Sequence, residues 1–214
     1  MEIVFLFYDG MTTLDAIGPW EVLSRVPGVL GRVASPAGGR VTTDTGLVFE
    51  QCAAIADIAR ADVLLVPGAS DVRPLLRDAR VLDWVRAIDA TTQWTTSVCT
   101  GALVLGAARL LRDKRATTHW AVLDSLRKHG ATPVTARIVE DGKTITAAGV
   151  SAGIDMALAL AARLTDAATA EAVQLVIEYD PQPPFDCGHP AKSTMPTLVR
   201  ARALLSAPPT GVPS

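Results

Sequence analysis

Short apolar runs rich in β-branched residues alternate with longer segments of helical period, and this alternation constrains the fold more than any other feature. Residues 3–8 are a continuous apolar run, as a strand covered on both faces requires. Residues 62–66 predict a second buried strand, and residues 94–98, with their β-branched side chains, a third. Weaker strand signals lie near Val33, Val48, Ala116, Val134 and Ile145. Strands that alternate with helices predict βαβ units. The sequence therefore predicts an α/β fold, a three-layer α/β/α sandwich of flavodoxin-like type with a mainly parallel central sheet.

The segments between these strands have helical signals. Pro19 can take the first position of a helix that runs to about Arg25, because its missing N–H would be unpaired there anyway. An apolar stripe over residues 82–88 predicts a helix that ends before Gln93. Further helices are expected over residues 102–111, 120–129, 153–164 and 166–179.

The chain is expected to form one α/β domain over residues 1–180, since no linker, repeat or shift in composition interrupts that range. Residues 181–214 are rich in proline and are expected to form an irregular C-terminal arm of the same domain, with one short helix over residues 197–205. An arm of this composition can lie across its own domain or across a neighbouring subunit.

Charge and hydropathy exclude several classes of protein. The 20 basic and 22 acidic residues are not clustered, which argues against a nucleic-acid surface or a basic membrane patch. The chain starts with a short apolar run that carries Glu2 where a signal peptide has Lys or Arg, and the most apolar long window, residues 147–164, contains Asp155 and Arg163. We therefore expect a cytoplasmic protein that binds neither nucleic acid nor membrane.

The three cysteines, Cys52, Cys99 and Cys187, are far apart and odd in number, so a disulfide framework is not expected. Cys52 and Cys187 are interpreted as small buried hydrophobic residues. Cys187-Gly188-His189 resembles half of a metal site. The chain offers no second ligand pair, and zinc normally needs three or four ligands, so no metal is expected.

Cys99 has a different setting, because it follows a predicted strand and precedes a helical segment that begins at Thr100-Gly101. Ligands of open α/β sheets collect at the carboxyl ends of the strands. Residues 97–101 have the outline of a nucleophile elbow, with Cys in place of Ser. A thiol at a helix N-terminus faces unpaired N–H groups, which should lower its pKa. Cys99 is therefore the predicted nucleophile.

Other residues near predicted strand ends could share this site. Asp15 follows the first strand and can either point towards Cys99 or cap a helix. Residues 67–69 and 149–153 offer backbone N–H groups, although their spacing fits neither a dinucleotide fingerprint nor a P-loop. His119 lies at a strand-to-helix junction, where it could act as a base, although a hydrogen-bonded structural role is favoured.

These segments, taken together, resemble the ThiJ/PfpI superfamily, which has a fold like that of class I glutamine amidotransferases. The resemblance spans nearly all of residues 3–186 and is strongest to the isocyanide-hydrating branch. It is carried by Leu14-Asp15-x-x-Gly18-Pro19, Val66-Pro67-Gly68, Thr96-Ser97-Val98-Cys99-Thr100-Gly101, Arg115-Ala116-Thr117-Thr118-His119-Trp120, Ala152-Gly153-Ile154-Asp155 and Tyr179-x-Pro181-x-Pro183-Pro184-Phe185.

The resemblance implies a homodimer in which Cys99 is the nucleophile and Asp15 is its acidic partner. It implies that the N–H groups of Gly68 and Thr100 stabilise an anion and that the N–H of Val150 lies close to the thiolate. Thr100 stands where the protease-like branch has His, which speaks against peptidase activity. The implied reaction is hydration of a small electrophile, an isocyanide, to an N-formamide through a thioimidate, without metal or organic cofactor.

Two positions depart from the family pattern: Ala69 replaces a second glycine, and Ile17 stands where the hydratase is expected to have Thr. Other functions remain open. One is a glyoxalase- or deglycase-like reaction on 2-oxoaldehydes. Another is regulation, since similar domains precede AraC-type DNA-binding domains, although no helix-turn-helix is recognised before Ser214. A third is redox sensing, in which Cys99 oxidises to sulfinic acid.

Overall fold

An eight-stranded sheet organises the protein in a computed structural model that describes residues 1–207. The strands are β1 (Glu2–Leu6), β2 (Leu30–Ser35), β3 (Gly39–Thr42), β4 (Val48–Ala54), β5 (Val63–Val66), β6 (Trp94–Val98), β7 (Arg115–Ala116), β8 (Thr132–Pro133), β9 (Ile138–Asp141) and β10 (Thr144–Ala147). The sheet order is β3-β4-β2-β1-β5-β6-β10-β9, and β7 pairs with β8 in a separate ladder.

Six neighbouring strands of the large sheet run parallel, and only the edge strands β3 and β9 are antiparallel to their neighbours. The helices are α1 (Thr13–Leu23), α2 (Arg73–Arg77), α3 (Ala79–Asp89), α4 (Gly101–Ala107), α5 (Ala152–Leu164), α6 (Ala167–Val176) and α7 (Met195–Ser206). Three short 3-10 helices cover Ile55–Asp57, Trp120–His129 and Pro190–Lys192. None of the helices in residues 1–207 is long and apolar enough to cross a bilayer.

Helices flank the sheet in two groups, with α1, α5 and α6 packed together and α2, α3 and α4 packed together. The central strands β1, β5, β6 and β10 are almost wholly buried. Burial on both faces fits the continuous apolar runs of β1 and β5. In β6 and β10 the buried side chains include threonine and serine as well. The predicted α/β sandwich with a mainly parallel sheet is confirmed.

The first helix differs from the prediction, which placed Pro19 at its first position. Pro19 lies inside α1, and the helix begins at Thr13. Tertiary packing explains the difference. A Cβ at Gly18 would lie 3.0 Å from Ile154 Cγ1, so glycine lets α1 pack closely against α5 at the turn that contains Pro19. The contact stabilises a helix that proline disfavours.

Other elements differ in type or extent. The helix predicted over residues 120–129 is a 3-10 helix with non-helical backbone at Val122. The helix predicted over residues 166–179 ends at Val176. The short elements β3, β9 and α2 were not predicted. Of the predicted arm, residues 208–214 lie outside the described residues; the described part contains α7, which is longer than the predicted 197–205, and has no buried residue.

The fold brings the carboxyl ends of β1, β5, β6 and β10 together at one edge of the sheet, because these strands are parallel neighbours. Gly101, at the start of α4, passes so close to the end of β5 that a Cβ there would overlap the carbonyl oxygen of Val66. The same Cβ would lie 2.9 Å from the carbonyl oxygen of Pro67. Only glycine permits this approach of two backbone segments.

We therefore expect Gly101→Ala to destabilise the protein by about 2–3 kcal/mol, since neither backbone segment can move aside cheaply. Gly188→Ala is the matched control, because a Cβ at Gly188 meets nothing within 4 Å. Denaturant unfolding of both variants measures the free energies. Equal stability of the two variants would contradict the close approach.

Candidate active site

Cys99 lies on the turn between β6 and α4 with a positive φ of 56°, in the left-handed region. A residue with a side chain is strained there by about 1–2 kcal/mol. Three hydrogen bonds hold this backbone: Cys99 N–H donates to Ala147 O at 3.2 Å, and Cys99 O accepts from Thr118 Oγ1 at 2.7 Å and from Ala102 N–H at 3.4 Å. The strained backbone places the cysteine at the carboxyl end of β6, as a nucleophile elbow does.

Asp15 lies in the first turn of α1, and it is fully buried. Its Oδ2 accepts a hydrogen bond of 2.8 Å from Gly68 N–H, so the side chain faces the end of β5 and does not cap its own helix. Within residues 1–207, Asp15 has no ion pair and its Oδ1 has no hydrogen-bond partner. This buried carboxyl group, which is hydrogen-bonded through only one of its oxygens, lies beside Cys99.

Burial is the main cause of the pKa shifts of this pair. Burial raises the pKa of Asp15 to about 7, while the Gly68 N–H lowers it and the charge of Asp44 raises it. Burial, and then the charge of Asp15, raise the pKa of the Cys99 thiol well above its ordinary value. The Asp15 charge opposes ionisation of Cys99, whereas hydrogen bonding to Cys99 lowers the pKa of Asp15. The carboxyl group therefore ionises first, and the pair holds a single negative charge over a wide pH range.

The prediction that the helix N-terminus lowers the pKa of Cys99 is wrong. Hydrogen bonding to Thr100 does favour the thiolate, but burial of the sulfur and the adjacent carboxylate oppose it more strongly. The helix that follows, α4, has only seven residues, so its dipole is small. Burial of the sulfur, which the sequence pattern does not indicate, therefore determines that the pKa of Cys99 is raised.

Thr100 joins the elbow to the end of β5. Its Oγ1 donates to Ala69 O and accepts from Ala69 N–H, both at 2.8 Å. A Cβ at Gly68 would lie 2.6 Å from Thr100 N and 2.9 Å from Asp15 Oδ2, so position 68 has room only for glycine. The resemblance implies that the Gly68 N–H stabilises an anion; in the structure this N–H donates to the Asp15 carboxylate.

His119 and Val150 lie on two turns beside the elbow. His119 Nδ1 accepts a hydrogen bond of 3.3 Å from Ala121 N–H and so caps the 3-10 helix over Trp120–His129, and burial lowers the pKa of its ring. Val150 is half-buried on the turn between β10 and α5, where its carbonyl accepts from Gly153 N–H at 3.3 Å. The structure thus gives His119 the structural contact that the sequence favoured.

Tyr8 is a residue of this site that the sequence reasoning missed. Its hydroxyl donates to Pro67 O at 2.8 Å, and the side chain is buried. Burial raises its pKa well above the ordinary value, and the charges of Asp15 and Cys99 raise it further. The signal was present in the sequence, because Tyr8 follows β1 at the same edge of the sheet where Asp15 was sought.

A groove of about 1180 Å³ lies next to the elbow. Leu14, Thr118 and Val150 line it where it approaches Asp15 and Cys99, and Leu123 and Phe185 line it farther out. Cys99 is 5% exposed and lies behind this lining. The charged side chains of the lining form two ion pairs, Arg137 with Asp155 and Lys192 with Asp186, so the groove suits an uncharged, largely apolar group.

The other two cysteines lie apart from this site. Cys52 is buried in β4, as predicted, and Cys187 is exposed in the arm, where burial had been expected. Cys187 is exposed because the arm that carries it packs only loosely on the domain. Neither cysteine forms a disulfide within the described residues.

Comparison of the sequence with known proteins identifies a matching family and similar proteins. Residues 1–163 match the model of the DJ-1/PfpI family. The chain is 44% identical over 209 residues to isonitrile hydratase from Pseudomonas putida, covering 98% of this chain and 91% of the hydratase. It is 31% identical over 166 residues to the HTH-type transcriptional regulator CdhR from Pseudomonas aeruginosa, covering 74% of this chain and 49% of the regulator.

Solved structures show the same fold. A ThiJ/PfpI family protein from Pseudomonas syringae superposes with a TM-score of 0.89 and 38% identity over 95% of this chain and 84% of that one. The central sheet, the flanking helices and the chain order of the elements are therefore shared with a crystal structure over nearly the whole length.

Proposed function

Because the chain belongs to the DJ-1/PfpI (ThiJ/PfpI) family, we propose that it is an isocyanide hydratase-like enzyme that uses Cys99 as nucleophile and Asp15 as proton donor and acceptor. The observation that carries the proposal is the Cys99 thiol on a strained elbow at the carboxyl edge of the sheet, buried beside the Asp15 carboxyl group. The 44% identity to isonitrile hydratase over almost the full chain supports it, since an isonitrile is an isocyanide.

The reaction starts from the state in which the thiol is ionised and Asp15 is protonated. The thiolate attacks the terminal carbon of R–N≡C, a carbon–sulfur bond forms, and Asp15 donates its proton to that carbon, giving the thioimidate R–N=CH–S. The Asp15 carboxylate then takes a proton from water, whose oxygen bonds to the thioimidate carbon, and passes that proton to the nitrogen. The carbon–sulfur bond breaks as Asp15 takes the proton of the added hydroxyl, so the N-formamide leaves, Asp15 is protonated again and the sulfur recovers its charge.

The protonation of the pair gives the reaction a defined pH range. Below about pH 7 both groups keep their protons, and no thiolate is available. Above the raised pKa of the thiol, both groups are ionised and Asp15 has no proton to donate. The reactive form therefore exists only while the pair holds one negative charge. It is the fraction of molecules in which that charge lies on the Cys99 sulfur and Asp15 is protonated.

We propose a homodimer, supported by apolar side chains that α6 and the arm leave exposed. They are Leu175, Val176, Phe185, Met195, Val199, Leu204 and Leu205. Exposed apolar surface of this extent is typical of an interface between subunits. We also propose a cytoplasmic location, where free thiols persist.

We expect light scattering of the homodimer to give twice the 22.5 kDa mass of the chain. A mass equal to that of a single chain would contradict the homodimer.

We expect the Cys99→Ala variant to lose at least about 1000-fold in kcat/KM for N-formamide production from an aryl isocyanide, because no carbon–sulfur bond can form. Cys187→Ala is the matched control and should retain wild-type turnover, since Cys187 is exposed in the arm. Turnover that survives in the Cys99→Ala protein would rule the mechanism out.

The same assay with other reagents separates the alternatives. A glyoxalase- or deglycase-like enzyme would consume methylglyoxal and leave the isocyanide unchanged. The similarity to a transcriptional regulator favours a sensing role as the second candidate. Such a protein would turn over neither compound, and its Cys99 would oxidise under peroxide as followed by mass spectrometry.

A further inference from the structure

Asp44 joins the loop between β3 and β4 to the segment that precedes α1. Its backbone N–H donates to Met11 O at 3.0 Å, and its Oδ2 accepts a hydrogen bond of 2.9 Å from Thr12 Oγ1. Neither the sequence motifs nor the reaction described above assigns this residue a role. The two contacts fix the connection from β1 to α1, and α1 carries Asp15.

The hydrogen bonds continue from this loop to the reacting carboxyl group. Thr12 N–H donates to Gly68 O at 2.8 Å, and Gly68 N–H donates to Asp15 Oδ2 at 2.8 Å. Met11 also forms an antiparallel bridge with Ala69. A continuous series of contacts thus runs from the Asp44 carboxylate through Thr12 and Gly68 to Asp15.

The charge of Asp44 is also poorly compensated. Its Oδ1 is buried without a hydrogen-bond partner in the described part of the chain, and no salt bridge there includes Asp44 or Asp15. The titratable groups that face Asp15 are Tyr8 after β1, Cys99 after β6 and Asp44 from the β3–β4 loop. None of these three is a cation, so the field of Asp44 acts on Asp15 with little neutralisation.

We propose that Asp44 is a positioning residue for the pair of Asp15 and Cys99, acting through the Thr12 and Gly68 hydrogen bonds and through its own negative charge. The proposal rests on the proposed function for its catalytic meaning. Asp44 touches no reacting atom. Its charge disfavours ionisation of Asp15, so the carboxyl group keeps its proton to higher pH and can donate it to the substrate carbon near neutrality.

The test compares the ionisation of Asp15 in wild type and Asp44→Asn by carbon NMR of protein labelled at the aspartate carboxyl carbon. Spectra of Asp15→Asn assign the signal. Asparagine keeps an oxygen to accept from Thr12 but removes the charge, so we expect the Asp15 midpoint to fall by roughly half to one pH unit.

Asp9→Asn is the matched control. Asp9 accepts from Thr42 N–H at 2.8 Å next to the same loop, but it is exposed and its charge is not among the causes that shift Asp15. The midpoint should stay at its wild-type value in this variant. An unchanged midpoint in Asp44→Asn, or an equal fall in Asp9→Asn, would overturn the proposal.

Asp44→Ser serves as a second variant if the amide destabilises the loop, because it too removes the charge and should lower the midpoint. The titration needs no substrate. If Asp44→Asn shows the shift but the wild-type protein hydrates no isocyanide, the role of Asp44 in setting this ionisation stands. Only the proposed reaction is then contradicted.

Discussion

Burial of the Asp15 carboxyl group beside the Cys99 thiol is the constraint on which the site depends. Both groups are buried, the described residues offer them no cation, and each pKa unit of upward shift represents about 1.4 kcal/mol disfavouring the ionised form. The pair therefore keeps one proton between two groups, which is the condition for a nucleophile and an acid to coexist. Perturbed pKa values of this kind concentrate at functional sites.

The fold maintains this unfavourable arrangement by packing backbone segments too tightly to relax. Gly101 and Gly68 let the ends of β5 and β6 approach within contact distance, and the Thr100 hydroxyl ties the two together. Thr118 then holds the carbonyl of the strained cysteine. Because the surrounding sheet is buried on both faces, the strain at Cys99 is balanced by contacts elsewhere in the domain.

Much of this arrangement could be predicted from the sequence, because short runs rich in apolar or β-branched residues between helical segments indicate the central strands. The run over residues 94–98 gave both the central strand and the elbow that follows it. The start of α1 could not be predicted, since it depends on packing between Gly18 and Ile154. The direction of the Cys99 pKa shift could not be predicted either, because it depends on burial of the sulfur. The approach of Asp44 to Asp15 depends on contacts between segments that are distant in the chain, and such contacts leave no pattern in the sequence.

Titration of the Cys99 thiol in wild type and Asp15→Asn tests the central claim most directly. Thiolate absorbance, corrected with Cys99→Ala for the other two cysteines, follows the ionisation. The wild-type thiol should ionise above the ordinary range of cysteine, and removal of the Asp15 charge should lower its midpoint by about one pH unit. A wild-type midpoint in or below the ordinary range, or a midpoint unchanged in Asp15→Asn, would contradict the account.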